Sequence, residues 1–404
     1  MPGMPAEVLR RRDAEEPPRV TNVELFFDLV YVFAITQVSD FLSKNLTPRG
    51  VLETLLLFCA VWWAWNYTAW ATNWIDPDRP LTALVMIVMM VLGLVMAAAL
   101  PDAFGTGHGS AHRDRSLAFA VAYVALQLVR TGFVAWAFPA GDRMRANNLK
   151  LLAWLAIGGA VWILGAFLHG DARLITWIAA AVIDIAAPLH GFRLPGLGVT
   201  PIDAWEVTGT HLAERYQLVL IIALGESVLR VGATFGAVSD TLAVDVAFIV
   251  GFLTSAALWA SYFMRLAEHG AAQVAGADHD AGRLGRSGYA YGHAVMVAGV
   301  IVVAVAIRAT IQDPSGAVPL AVAIAVLGGP ALYLAGLALF ERSIGLAAIA
   351  RRPFFAVAAL AALAIPAALG VNRLVLLVCA TLVLAGFAGY VALRPFWDHP
   401  RVDA

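Results

Sequence analysis

The sequence predicts an all-α fold: a polytopic transmembrane helical bundle of about 12 spans, built as two similar six-helix halves. Three observations predict it. Of 404 residues, 61% are hydrophobic and 14% charged, with a mean hydropathy of +0.78, which is more apolar surface than a single soluble core buries. Apolar runs of the roughly 20 residues needed to cross a bilayer recur from Leu25 almost to the C-terminus. The runs are also too long and too evenly apolar for barrel strands of about 10 residues, so the backbone must satisfy itself within helices.

Charges and Pro/Gly breaks divide the chain into spans near 24–42, 51–71, 81–100, 116–137, 150–168 and 172–190. A second series falls near 212–232, 243–264, 288–309, 318–340, 353–370 and 374–392. The expected organisation is a tail over 1–23, a first six-helix repeat over 24–190, a linker over 191–211, a second repeat over 212–392 and a tail over 393–404.

The halves share short features. Glu24-Leu25-Phe26 opens the first span and Glu214-Arg215-Tyr216 the seventh, while Trp63-Ala64-Trp65-Asn66-Tyr67 parallels Trp259-Ala260-Ser261-Tyr262. The offsets, 190 and about 196 residues, fit one duplication. Six spans per half is an even number, so the halves would share an orientation and relate by an axis along the membrane normal.

Lys and Arg between spans number 17 on the N-terminal side and 8 on the other, with Arg130 and Arg215 inside spans. The bias predicts a multi-pass membrane protein with both termini cytoplasmic. Arg10, Arg11 and Arg12 are separated from the first apolar run by acids and by Pro17 and Pro18, which reads as a tail and an uncleaved first helix.

In the first span, Thr21-Asn22-Val23-Glu24 forms a capping box. Glu24 and Asp28 lie four apart, sharing a face with Tyr31 and Ile35. Asp28 is a turn deeper, where a charge needs a partner or a water path. Trp62, Trp63 and Trp65 read as core packing in the second span, and Trp70 and Trp74 as an interfacial belt. Asn66 fits an interhelical hydrogen bond, and Asp184 sits near a cytoplasmic end where water could reach it.

In the seventh span, Glu214 and Arg215 open the helix. Arg215 and Glu226 are eleven residues apart, about 16 Å along one stripe. Glu226 lies between Gly225 and Ser227, small residues that permit close packing. It suits either an ion pair with another helix, Arg130 being one partner to consider, or a proton or cation site. His293 in the ninth span reads as a helix-contact histidine.

Net charge is −1, and no basic-aromatic stretch suggests nucleic acid. Cys59 and Cys379 lie in apolar spans and argue for neither disulfide nor metal. His108, His112 and Asp278-His279-Asp280 fall in Gly/Ala-rich loops that read as solvated. No phosphate-binding loop, dinucleotide fingerprint, zincin motif or catalytic triad is present, so no cofactor, metal or catalytic residue is assigned.

A set of motifs carries a resemblance. They are Glu24-Leu25-Phe26-Phe27-Asp28-Leu29-Val30; Trp62-Trp63 through Tyr67 with Asn73 and Asp76; Glu214-Arg215 through Leu224-Gly225-Glu226-Ser227; Gly288-Tyr289-Ala290-Tyr291-Gly292-His293; and Gly329-Pro330-Ala331-Leu332-Tyr333. Through them the chain resembles the bacterial low temperature requirement A family over about 19–392. The resemblance implies a multi-pass membrane protein linked by name to growth in the cold. This chain departs from the family pattern at Ala260 and Met264, where a Trp and an Asp are expected. More weakly, Phe26-x-Asp28-x-Val30-x-x-x-Ala34-Ile35-Thr36 is similar to the first-helix signature of endolysosomal potassium channels, with Phe27 and Leu29 replacing its Ser and Gly.

The leading functional expectation is transport or conduction of a small ion or solute along a path between the halves. Spans one and seven would line it, with Asp28, Arg130, Arg215 and Glu226 as polar groups. A lipid-directed enzyme would have to use His293 or Asp184, and neither has an evident nucleophile beside it. A sensor or scaffold is the third class; there the charges only specify helix pairing, and short loops leave little docking surface. The partners expected are the lipid bilayer and a small ion or solute.

Overall fold

The computed structural model of the chain describes residues 6–10, 19–105, 114–196, 198–238, 241–277, 280–346 and 351–393. His108, His112, Asp278 and His279 lie outside them. The described residues contain no strands beyond two isolated bridges, Leu9 with Ile75 and Leu194 with Gly198. The protein is an all-α polytopic membrane bundle. Ten helical segments among the described residues are long and apolar enough to cross a membrane.

The helices are α1 Asn22–Lys44, α2 Pro48–Ala71, α3 Pro80–Ala99, α4 Ser116–Ala137, α5 Arg143–Ala166, α6 Gly170–Leu189, α7 Gly209–Phe235, α8 Leu242–Phe263 and α9 Leu266–Ala275. There follow α10 Ala281–Leu284, α11 His293–Gln312, α12 Leu320–Ser343, α13 Arg352–Ala362, α14 Ala364–Ala368 and α15 Arg373–Leu393. Every expected span position holds a helix, and two depart from the simple pattern. Indole, phenol and amide groups dilute the hydropathy of the 24-residue α2, which is not among the ten. The penultimate span is two short helices, because Pro366 cannot donate to the preceding turn.

The chain forms two compact units. The first holds residues up to Val219 together with Val274–Gly285. Its interior is aromatic: Phe104, Phe119, Trp162 and Trp177 are mutually packed, with Trp162 and Trp177 centroids 5.4 Å apart. The rings lie close because glycines admit them. A Cβ on Gly165 would stand 2.3 Å from the Trp177 ring, and one on Gly159 would stand 2.8 Å from Val124. Along α3, Leu84, Ile87, Val88, Val91, Leu94 and Val95 are exposed at helical spacing. An exposed stripe this apolar is the face that meets lipid.

The second unit holds Leu220–Gln273 and residues from Arg286 onward. Gly299 and Gly336 bring α11 and α12 backbone to backbone. Tyr333 donates its hydroxyl to the Leu258 carbonyl at 2.8 Å, and Thr254 meets Thr381 at 2.7 Å. A π-helical stretch, Gly285–Gly292, leads into α11, so that helix begins later than its apolar run suggests.

Candidate functional site: a buried charge cluster in the first unit

Thr21 caps α1, accepting from the Glu24 amide while the Glu24 carboxylate accepts from the Thr21 backbone. The expected capping box is therefore present, and Glu24 does more besides. Its Oε1 lies 3.0 Å from His211 Nε2 and 3.9 Å from the Arg215 Nε, and its Oε2 accepts from Arg10 at 3.2 Å. One turn deeper, Asp28 is held by both terminal nitrogens of Arg215, each at 2.9 Å, and by the Trp65 indole N–H at 2.9 Å. Glu24, Asp28, His211 and Arg215 are all 0% exposed. Fork-to-fork pairing of guanidinium and carboxylate is the strongest geometry available to such a buried pair.

Asn73 accepts from the Thr208 amide through Oδ1, which leaves its amide nitrogen facing the Thr208 carbonyl and His211 Nδ1. His211 Nε2 lies between two groups, 3.0 Å from Glu24 Oε1 and 3.2 Å from Arg10 Nη2. The two carboxylates, Glu24 and Asp28, are matched by two guanidinium groups, Arg10 and Arg215, as burial of charge demands. Arg10 is anchored from a different direction: its Nε donates to the Thr72 carbonyl at 2.7 Å and its amide to the Trp74 carbonyl at 2.8 Å.

Around this core the other sequence-predicted residues take separate places. Tyr31 packs on Phe27 with centroids 5.0 Å apart, and its buried hydroxyl has no hydrogen-bond partner among the described residues. Ile35 is core, and Glu214 accepts from the Val20 amide at 3.1 Å. Asn66 makes the expected interhelical hydrogen bond, accepting from the Tyr216 hydroxyl, which in turn accepts from Trp70 at 3.2 Å.

Arg130 and Asp184 are the unusual pair. Arg130, 1% exposed, donates to the Ala64 carbonyl at 3.4 Å and to Thr131 at 3.1 Å, and its guanidinium lies 5.2 Å from the Tyr67 ring centroid. No carboxylate among the described residues pairs with it. Asp184 is buried, not hydrated as its position near a helix end suggests, because neighbouring helices cover that end. It accepts from Tyr123 at 2.7 Å and from Trp162 at 2.9 Å, with Gln127 donating to Tyr123 at 3.0 Å. No basic group among the described residues meets it. Asp184→Asn should therefore leave stability within about 1 kcal/mol of wild type, since an amide oxygen still serves both donors. Asp184→Leu should cost about 1–3 kcal/mol for each donor left unpaired. Denaturant unfolding in detergent measures both, and equal costs would show that the charge itself matters.

In the second unit, Glu226 pairs with Arg230 one turn along its own helix at 2.7 Å, so Arg130 is not needed as a partner. Gly225 is exposed with nothing near its Cβ position, so it is not a close-packing point, whereas Ser227 does meet Ser255 at 2.9 Å. His293 is a helix-contact histidine as expected, 2.9 Å from the Tyr262 hydroxyl and fully buried among aromatic rings. Trp62, Trp63 and Trp65 are core, while Trp70, half-buried, and Trp74 sit at the end of α2. Both indoles are spent on hydrogen bonds within the unit, Trp74 to the Glu206 carbonyl at 2.5 Å.

Sequence reasoning missed His211, Arg10, Trp65, Asn73, Tyr123 and Trp162 as members of polar networks. One signal was available for His211. His211 and Arg215 are four apart, as are Glu24 and Asp28, so two helices carry matched polar ladders. Nothing local marks the others.

A family model described as "Bacterial low temperature requirement A protein (LtrA)" matches residues 19–389. An uncharacterized protein of Rhizobium meliloti (strain 1021) is 33% identical over 330 residues, covering 81% of this chain and 78% of its own length. No solved structure matches the chain.

Proposed function

The chain belongs to the bacterial low temperature requirement A family of membrane proteins, and from that premise we propose that it moves a small ion or solute across the bacterial cell membrane. The observation that supports this reading is the charge that helix pairing does not use. Asp28 and Arg215 satisfy one another, but Arg130 and Asp184 are buried in the same unit with no ion-pair partner among the described residues. Ionisable groups inside spans are costly, and they mark pathways where pairing does not account for them.

The working topology is twelve spans as two related six-helix halves with both termini cytoplasmic, supported by the charge bias and the repeated motifs. Single-cysteine labelling checks it: residue 279 should react from the cytoplasmic side and residue 108 from outside. The reverse pattern would overturn the charge argument.

The activity is tested by reconstituting purified protein into liposomes and following K⁺, Na⁺ and H⁺ flux. Arg130→Gln and Asp184→Asn should lower flux at least about tenfold relative to wild type. Absence of flux for all three ions would favour a second reading, a non-conducting scaffold. The observation on its side is the closed geometry of Asp28, Arg215 and Trp65, whose atoms leave little room for an ion.

A further inference from the structure

In the second unit, α13 and α15 enclose a groove of about 500 Å³, within the size range of about 300–1,000 Å³ usual for small-ligand sites. Its walls are apolar: Phe355, Leu382 and Phe387 line it, with Gly386 leaving the space a side chain would fill. Phe355 and Leu382 are 77% and 66% exposed, so the groove opens sideways onto the surface that meets lipid. At one end stands Arg352, the first residue of α13, with its guanidinium 5.2 Å from the Tyr390 ring centroid.

Arg352 makes no hydrogen bond and no ion pair with any described residue. Glu341 is the carboxylate whose charge it feels, and the two stand beyond salt-bridge distance. A half-buried guanidinium has five N–H donors to satisfy, and here they stand beside an apolar trough in a hydrocarbon setting. The occupant that meets both demands is amphiphilic, with an anionic end and a long apolar tail. A soluble anion would satisfy the cation but leave the trough empty. A zwitterionic lipid would fill the trough but set its own cation beside the arginine. We propose that this groove binds one anionic phospholipid, its phosphate on Arg352 and an acyl chain along Phe355 and Leu382. Basic pockets between membrane helices hold anionic headgroups in this way. The inference is independent of any transport activity.

Native mass spectrometry of the purified full chain, titrated with phosphatidylglycerol or phosphatidylcholine, tests it. Wild type should retain phosphatidylglycerol at least about fivefold better, the preference expected of one added cation. Arg352→Gln should erase that preference, Gly386→Leu should weaken binding of both lipids by filling the trough, and Arg351→Gln beside it should change neither. Equal retention of the two lipids by wild type would overturn the proposal, as would a preference that survives Arg352→Gln. Monodispersity and melting temperature on the same samples separate lost binding from lost folding. If Gly386→Leu fails to fold, Phe355→Ala carries the test of the trough.

Discussion

Arg215→Ala is expected to destabilise the protein by about 3–5 kcal/mol, because it strands a buried carboxylate. Asp28 would lose both guanidinium bonds and keep only the Trp65 N–H, while Glu24 would lose the nearby Arg215 charge. Removing the acid and the base together is a different experiment. Asp28→Leu with Arg215→Met takes the charges away with their desolvation cost, so the double variant should recover most of the loss. Denaturant unfolding in one detergent measures both. A single variant within about 1 kcal/mol of wild type would show that water or another group reaches the site and compensates.

Gly299→Leu should be comparably severe by a wholly apolar route. A Cβ at this position would lie 2.5 Å from the Tyr333 backbone nitrogen and 2.8 Å from its Cα. Neither atom can swing aside as a side-chain tip can, so α11 and α12 must separate. Overpacking of a tight contact usually costs about 1–3 kcal/mol, and backbone against backbone belongs at or above the top of that range. Separation would also pull Tyr333 from the Leu258 carbonyl. Gly225→Ala is the matched control, with open space around it and about 0.5–1 kcal/mol of helix propensity to gain. Yield of monodisperse protein and melting temperature report on both. A fully stable Gly299→Leu would mean the helix pair is looser than its geometry implies.

How much of this was legible beforehand depends on range along the chain. The helices and the Thr21–Glu24 cap were legible because each is decided within a few residues, by apolar run length or by a side chain reaching its own backbone. That Asp28 needed a partner was legible from its depth, but the partner was not: Arg215 lies 187 residues away, and no local pattern links them. The burial of Asp184 is not legible, because distance from a helix end measures depth only when nothing packs over that end, and here Tyr123 and Trp162 do. The acceptors of Trp70 and Trp74, the Tyr216 hydroxyl and the Glu206 carbonyl, are not legible, because they lie 146 and 132 residues away. For Glu226 the sequence leaves an ion pair with another helix and a proton or cation site both open, whereas its partner Arg230 stands one turn away on the same helix, the spacing that relates Glu24 to Asp28.

The same 187-residue separation sets an order of events during synthesis. At about 5–20 residues per second, the ribosome adds Arg215 roughly 10–40 s after Asp28. The first helix must therefore enter the membrane with its acid uncompensated, at a cost below the roughly 2.5–3.5 kcal/mol of a mid-span charge, since Asp28 lies within two turns of the helix start. The remainder of α1, with its mean hydropathy of 1.6, has to carry that burden alone. Until the seventh helix arrives, α1 is a segment waiting for its counter-ion, and insertion machinery or earlier helices must shelter it. Truncation before residue 209 removes Arg215, leaving a nascent chain in which Arg10 can still meet Glu24 but Asp28 has lost its counter-ion.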